Sequence, residues 1–346
     1  MYPSAADKYV FTRIYRTTVT CPTVDTIDAD TYEYKPQGNG RLSRGIFNWD
    51  FWYKRISVEE SRERLGLKYR SEPYASPVMA GGLFGLDKSY FFELGAYDRG
   101  LEIWGGENME ISFKAWMCGG RLKFVPCSRV GHIYRHGVPY SFPDSGVKGV
   151  SVVFLNYMRV VEVWMDEYKQ YFYTMRPNLR GKPFGDISEQ VAFRKKNCPK
   201  SFKWFMEEVA PDSMKRWPPP PPNQGYGEIR VVSSDLCVDT LGHGNRAIGM
   251  YNCRGDSENQ IFRLSGNGIL YNEENCMYPK NNKVHIKDCR IMIPEAKWSY
   301  DEDKEQIAES TTNMCLDHYS ATKELYLAEC NIHKDSQHFK ILPPTD

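Results

Sequence analysis

Apolar and polar positions change period several times along the chain, and the changes mark its elements. Thr17 to Ile27 is rich in β-branched residues and predicts a strand. Val78 to Leu86 reads as a second strand-like run, interrupted by Gly81 and Gly82, and glycines inside a strand mark close backbone approach. After the turn Trp104-Gly105-Gly106-Glu107-Asn108, Met109, Phe113, Trp116 and Met117 recur at helical spacing. They predict a helix with Glu107 and Glu110 in its first turn, stopped by Gly119 and Gly120. Leu122 to Val125 reads as a short strand that delivers Ser128-Arg129-Val130-Gly131-His132, then Arg135, His136 and Tyr140, into a loop. Phe154, Tyr157, Met158, Val161, Met165 and Tyr168 form the stripe of a long helix, Val150 to Tyr173. Pro218 to Pro222 is a stiff polyproline spacer.

Beyond the prolines the pattern becomes short strands and turns, and it repeats. Cys237, Cys276 and Cys315 stand 39 residues apart, each followed by a second cysteine: Cys253, Cys289 and Cys330. Nine residues after each second cysteine comes an aromatic: Phe262, Trp298 and Phe339. A register held three times predicts a threefold all-β domain. A propeller of similar period would need more than three blades.

Composition narrows the function. The chain has 346 residues, room for two domains, and 45 basic against 44 acidic side chains. A net charge of +1 argues against electrostatic capture of nucleic acid or an anionic membrane. None of the ten cysteines forms a C-x-x-C pair, which argues against a zinc ribbon or thioredoxin-type motif, and their spacing in the second half favours disulfides and an oxidising compartment. No apolar run approaches the ~18 residues of a membrane span and no signal peptide opens the chain, so an N-terminal portion is expected to be missing. In residues 79–143 an aromatic, a carboxylate, an amide, a histidine and an arginine converge at element ends, where α/β proteins keep their sites. The same residues also fit an ordinary α/β unit, with Trp104 in the core, His132 on the surface and Glu107 as a charged cap.

The runs MAGGLF (79–84), WGGEN (104–108), CGG (118–120), PCSRVGH (126–132) and VEVWMDEY (161–168) resemble the polypeptide N-acetylgalactosaminyltransferases. The repeated half resembles the ricin-type β-trefoil of the same family, with Cys237-Val238-Asp239 and Gln260-Ile261-Phe262 answered by Cys315-Leu316-Asp317 and Gln337-His338-Phe339. The resemblance implies an α/β GT-A glycosyltransferase domain, N-terminally truncated, over residues 1–216, a proline-rich linker over 217–225, and an all-β ricin-type β-trefoil over 226–346. It implies retaining transfer of GalNAc from UDP-GalNAc to serine or threonine of polypeptides, with Mn²⁺, in the Golgi lumen. The full-length form would be a type II membrane protein. Acceptors would be peptides or GalNAc-glycopeptides, and the text around 161–169, 198–209 and 227–230 is most similar to members acting on partly glycosylated peptides.

Residue by residue, the resemblance places His132 as a metal ligand. It sets Gly81, Gly82, Trp104, Arg135 and Tyr140 against the donor nucleotide, and Glu107 and Asn108, with Trp104 and Arg135, at the transferred sugar. The loop from Arg135 to about Gly146 would be a lid, in which Val138 replaces a histidine of some members. Trp49, Trp52, Tyr53 and Tyr134 are candidates for the acceptor peptide. Asp239, Tyr251 and Asn259, with Arg254 nearby, make the first repeat the expected sugar site. The second repeat has Tyr278 in place of the aspartate, and the third has Ala328 and Ser336 in place of the aromatic and the amide. Four disulfides are expected, Cys118–Cys198, Cys237–Cys253, Cys276–Cys289 and Cys315–Cys330, with Cys21 and Cys127 free. The family's Asp-x-His metal motif occurs nowhere in this sequence, and Asp28-Ala29-Asp30 reads as a turn rather than a substitute. This chain alone is therefore expected to be inactive. The alternatives are a lectin-like protein on a GT-A remnant, or a β1,4-galactosyltransferase, against which the trefoil and PCSRVGH both argue.

Overall fold

β1 (Thr18–Ile27) forms where the β-branched run predicts it. The computed structural model describes residues 16–37, 41–134, 137, 139–242, 246–255, 257–289 and 296–344. Its residue contacts divide the chain into two units, Met1–Tyr173 with Gly181–Pro219, and Thr174–Arg180 with Pro220–Asp346, and the division falls inside the proline run.

In the first unit β1 lies in a four-stranded sheet of order β2-β1-β6-β5, with β2 at Tyr34–Lys35, β5 at Tyr74–Ala75 and β6 at Arg121–Ile133. β3 (Ser43–Phe47) and β4 (Tyr53–Ser57) make a separate hairpin. β1 and β6 are parallel, joined in sequence through helices α1 (Lys88–Glu93) and α2 (Glu107–Met117). β6 is much longer than the four residues expected. The strand does not end at Val125 but bulges there: Pro22 faces Val125, Thr23 faces Arg129, and pairing then continues to Ile133. A proline cannot donate to the ladder, so a bulge is where a strand can absorb one.

Two other expectations are corrected. Val78 to Leu86 is a loop held by single bridges, Val78 to Gly45 and Gly85 to Thr20. The long helix is broken into α3 (Val152–Trp164), a 3₁₀ turn at Asp166–Tyr168, and α4 (Lys169–Met175). At the break Asp166 takes a positive φ of 47°. Its carboxylate accepts the Phe202 N–H at 2.8 Å and pairs with Arg194 at 2.7 Å, which rewards the bend. The predicted face of α2 is buried at Met109, Phe113 and Met117, with Phe113 edge-on to Phe202 and Phe205. A disulfide from Cys118 to Cys198 ties the C-terminal end of α2 to that of α5 (Ser188–Asn197).

The second unit is a trefoil of three four-stranded repeats. The first holds β7 (Asn223–Val231), β8 (Leu236–Asp239), β9 (Gly249–Asn252) and β10 (Ile261–Ser265). The second holds β11 (Leu270–Asn272), β12 (Asn275–Lys280), β13 (Lys283–Asp288) and β14 (Trp298–Asp301). The third holds β15 (Gln306–Glu309), β16 (Met314–Tyr319), β17 (Glu324–Glu329) and β18 (Phe339–Leu342). β7 starts at Asn223, so Asn223, Gln224 and Gly225 belong to a strand rather than to the spacer. β18 returns to pair with β7 and closes the ring. Phe262, Trp298 and Phe339 share one buried core with Val238, Met277 and Leu316, the residues that follow the first cysteine of each repeat. Each repeat carries its own disulfide, as expected, and Cys21 and Cys127 take part in no disulfide.

Candidate functional site

The glycine turn and the 79–82 loop are built as one piece. Gly105 and Gly106 have φ of +107° and +86°, and their faces lie against α3: a Cβ would stand 3.1 Å from Val153 Cγ1 and 3.3 Å from Val160 Cγ2. Gly106 caps α2, so Glu107 and Asn108 fall in its first turn. Glu107 Oε2 accepts the Gly105 N–H at 2.7 Å, and Asn108 Nδ2 donates to Met79 O at 3.0 Å. Gly81, with φ +92°, passes so close that a Cβ would meet Asn108 Cβ at 2.8 Å, whereas the space beside Gly82 is open. The Met79 N–H donates to Ser112 Oγ one turn along the helix. Gly81, Glu107 and Asn108 therefore sit together. Trp104 precedes them, 47% exposed, on the surface and not in the core.

Sequence reasoning missed what fixes this turn. The Asn156 amide, on α3, accepts the Glu102 N–H and donates to the carbonyls of Glu102 and Trp104 at 2.8 and 3.1 Å. Between those carbonyls Ile103 sits at φ +58°, a left-handed conformation that is costly for a β-branched residue. Beneath, Arg159 bonds both oxygens of Asp98, and Lys114 pairs with Glu110 in full burial. Burial pushes the Glu110 carboxyl up against the pull of Lys114. The signal available was the charge at Arg159 and Lys114 on otherwise apolar helix faces.

His132 is exposed on β6 opposite Thr26, its ring 4.3 Å from that of Tyr134. The strand pair is locked beside it. Asp25 is buried, is gripped by Arg129 through Nε at 2.7 Å, and also accepts from the Tyr34 hydroxyl and the Gln37 N–H. Burial would raise the Asp25 carboxyl, but Arg129, Tyr34 and Gln37 outweigh it and hold it below the ordinary value. Asp28 caps the N–H groups of Asp30 and Thr31, a turn as expected.

The remaining first-unit candidates divide. Trp49 is only 5% exposed, donates its indole N–H to Trp217 O and packs on Tyr168 and Tyr171, so it is core and offers no face to a peptide. Tyr53 is half-buried, and burial pushes its hydroxyl up to about 12. Trp52, Tyr134 and Tyr140 are exposed, with Tyr140 against Phe142. Arg135 and Val138 lie outside the described residues.

In the trefoil's first repeat Asp239 is held, not loose. Oδ1 accepts the Leu241 N–H at 2.6 Å and Oδ2 accepts Gln260 Nε2 at 2.8 Å. Gln260 also donates to Asn252 O and accepts from the Arg254 N–H. Asn259 is exposed and its Oδ1 accepts the Thr240 hydroxyl. Tyr251 stands 40% exposed, with the Arg254 guanidinium 4.7 Å from its ring centre. The third repeat copies the scaffold: Gln337 Nε2 donates to Asp317 Oδ2 and Glu329 O. It then closes it, because Lys334 reaches in and forms an ion pair with the same Asp317 oxygen. The sequence signal for the scaffold was the joint presence of aspartate and glutamine. The second repeat has Tyr278 and Ala296 and lacks both.

Comparison with known proteins covers both units. A family described as the N-terminal domain of galactosyltransferase matches residues 63–137, and the ricin-type beta-trefoil lectin domain matches residues 225–339. N-acetylgalactosaminyltransferase 7 of Drosophila melanogaster is 42% identical over 336 residues, 95% of this chain and 56% of that protein. The mouse (Mus musculus) protein of the same name is 43% identical over 332 residues, 94% of this chain and 50% of that one. A crystal structure of GalNAc-T7 with UDP, GalNAc and Mn²⁺ superposes with a TM-score of 0.85 at 41% identity, covering 95% of this chain and 61% of that one. The chain thus spans about half the length of the curated relatives it matches.

Proposed function

The chain belongs to the polypeptide N-acetylgalactosaminyltransferase family, and we propose that it serves the retaining transfer of GalNAc from UDP-GalNAc to serine or threonine hydroxyls of polypeptides. The single observation that carries this reading is the rigid cluster of Gly81, Glu107 and Asn108 behind an exposed Trp104. Glu107 and Asn108 would hold the transferred sugar, Trp104 would line the site, and Gly81 and Gly82 would let donor approach the backbone. Arg135 and Tyr140 would meet the diphosphate, and the loop to about Gly146 would exclude water.

The GalNAc-T7 structure holds Mn²⁺, and we propose the same metal here. His132 fits as one ligand, because its imidazole is exposed; no other described histidine, cysteine or carboxylate groups with it into a metal cluster. Mn²⁺ would supply Lewis-acid stabilisation of the departing diphosphate. Four disulfides favour an oxidising lumen such as the Golgi's. No helix among the described residues is long and apolar enough to cross a membrane. We further propose a catalytic part within residues 1–216 and a lectin domain, from β7 onward, that tethers GalNAc-bearing acceptors through its first repeat. A single shallow site of this kind binds on the order of millimolar, and tethering raises the effective concentration of the next hydroxyl.

The test is transfer to a peptide with UDP-GalNAc and Mn²⁺. The chain alone should give no glycopeptide. A chimera supplying the part of the mouse relative that this chain does not match should transfer, and His132→Ala in it should abolish transfer. The Asp239–Gln260 scaffold of the first repeat supports a second reading, a glycopeptide-binding lectin without catalysis, and an inactive chimera that still binds GalNAc-peptide would establish it.

A further inference from the structure

The first-repeat site has a neighbour that its own repeat does not supply. On β9, Gly249 faces Asp239 across the strand pair, and a Cβ there would stand 2.8 Å from the carbonyl of Lys323, in the turn between β16 and β17. The Met250 N–H donates to that carbonyl at 2.9 Å, and Glu324 pairs with Gly249. Lys323 itself turns through φ +55°. The third repeat's turn is thereby laid across the first repeat's strand. It brings Lys323 Nζ to 4.9 Å from the Tyr251 ring centre and 2.9 Å from Asn252 Oδ1. Arg254 flanks the same ring. Among the described residues neither cation has a carboxylate partner, and an ammonium bonded once keeps two donors.

We infer that the site is a composite of the first and third repeats, in which Arg254 and Lys323 bind a carboxylate carried beside the GalNAc. The carboxylate is that of an aspartate or glutamate next to the glycosylated residue, or that of an acidic sugar attached to the GalNAc. This rests on the first-repeat reading proposed above. Asp239, Asn259 and Tyr251 take the neutral sugar, and the two cations read what accompanies it. The other repeats cannot do the same. Lys334 in the third is already committed to Asp317, and the second has no aspartate at that position.

The test titrates the full chain with three ligands built on one GalNAc-peptide. One has glutamine beside the glycosylated residue, one has glutamate there, and one keeps glutamine but carries an acidic sugar on the GalNAc. At low salt at least one carboxylate ligand should bind about three- to fivefold tighter than the neutral one, as partly exposed charge pairs do. The ligand that gains identifies the source of the carboxylate. The advantage should fade at about 1 M salt, where the screening length is about 3 Å. Lys323→Gln and Arg254→Gln should each bring the ratio of carboxylate to neutral affinity toward one. Equal affinity for all three ligands, or a ratio that neither substitution changes, overturns the inference. If Asp239→Ala leaves neutral binding intact, the first-repeat reading itself is wrong. If Asp239→Ala removes binding while charge makes no difference, only the carboxylate inference falls.

Discussion

The first and third repeats of the trefoil begin from the same chemistry and arrive at opposite surfaces. Each places an aspartate two residues after its first cysteine, and each holds that carboxylate with a glutamine from the turn before its closing aromatic. In the first repeat the oxygens of Asp239 accept, among the described residues, only from Leu241 and Gln260, with no cation on them, and Asn259 and Tyr251 stand exposed. In the third, Lys334 occupies Asp317, the residue opposite is Tyr326 rather than a glycine, and Tyr319 stacks on that ring at 4.4 Å. The motif therefore builds a turn in both repeats, and what the neighbours do with the carboxylate decides whether a sugar can use it.

The strongest way to break this contrast is at the aspartates. Asp239→Ala in the full chain should reduce GalNAc-peptide binding below detection, more than about tenfold, because a polar site that loses its central acceptor leaves the ligand's hydroxyls unpaired. Asp317→Ala should leave the titration nearly unchanged, and a loss confined to Asp317→Ala would reverse the assignment of the two repeats. The glutamines sharpen the comparison. Gln260→Ala and Gln337→Ala each strip a buried amide that bonds both a carboxylate and a carbonyl, so each should cost about 1–3 kcal/mol in denaturant unfolding. Only Gln260→Ala should also weaken sugar binding.

The smallest expected effect separates the repeats by pH. Burial would raise the Asp317 carboxyl, but Lys334, Ser336 and Gln337 hold it below the ordinary value. A depressed carboxyl contributes stability that is complete above its unfolded value, about 4, and is lost as the pH falls through the folded one. Lys334→Ala should thus lower the unfolding midpoint at about pH 6 by the equivalent of less than ~1 kcal/mol, since Lys334 is largely solvated. The gap from the unsubstituted chain should narrow toward pH 3. A gap that stayed constant on acidification would show that Lys334 acts through packing and not through its charge.

The legible parts of this chain were those carried by spacing. Cysteines 39 residues apart, with an aromatic nine residues after each closing one, announced a threefold all-β domain, and the family resemblance added the trefoil and its disulfide pairs. The helical face of Met109, Phe113 and Met117 was readable for the same reason. Elements that ended on a tertiary contact were not: Pro126 looks like a strand stop until Thr23 accepts a shifted register, and Asp166 looks helical until Phe202 and Arg194 pull on it. In the site, residue types were visible but facing was not. Trp49 and Trp104 read alike in sequence, yet one is core and the other surface. Asn156, Lys323 and Lys334 act across distant segments, and no local pattern announces such partners.

The pairing of β18 with β7 bears on how this domain is made. Phe339, Ile341 and Leu342 complete ladders opened by Val231, Ile229 and Glu228, more than a hundred residues earlier on the ribosome. Each disulfide loop of the trefoil, by contrast, spans 13 to 16 residues and can be oxidised as soon as its own repeat leaves the exit tunnel. The nascent domain is therefore stapled in thirds while its barrel stays open. A stop codon a few residues before Phe339 would leave three correctly bridged repeats with the Glu228–Val231 edge of β7 lacking its β18 partner, a product that passes a thiol inspection and still exposes a strand edge to aggregation.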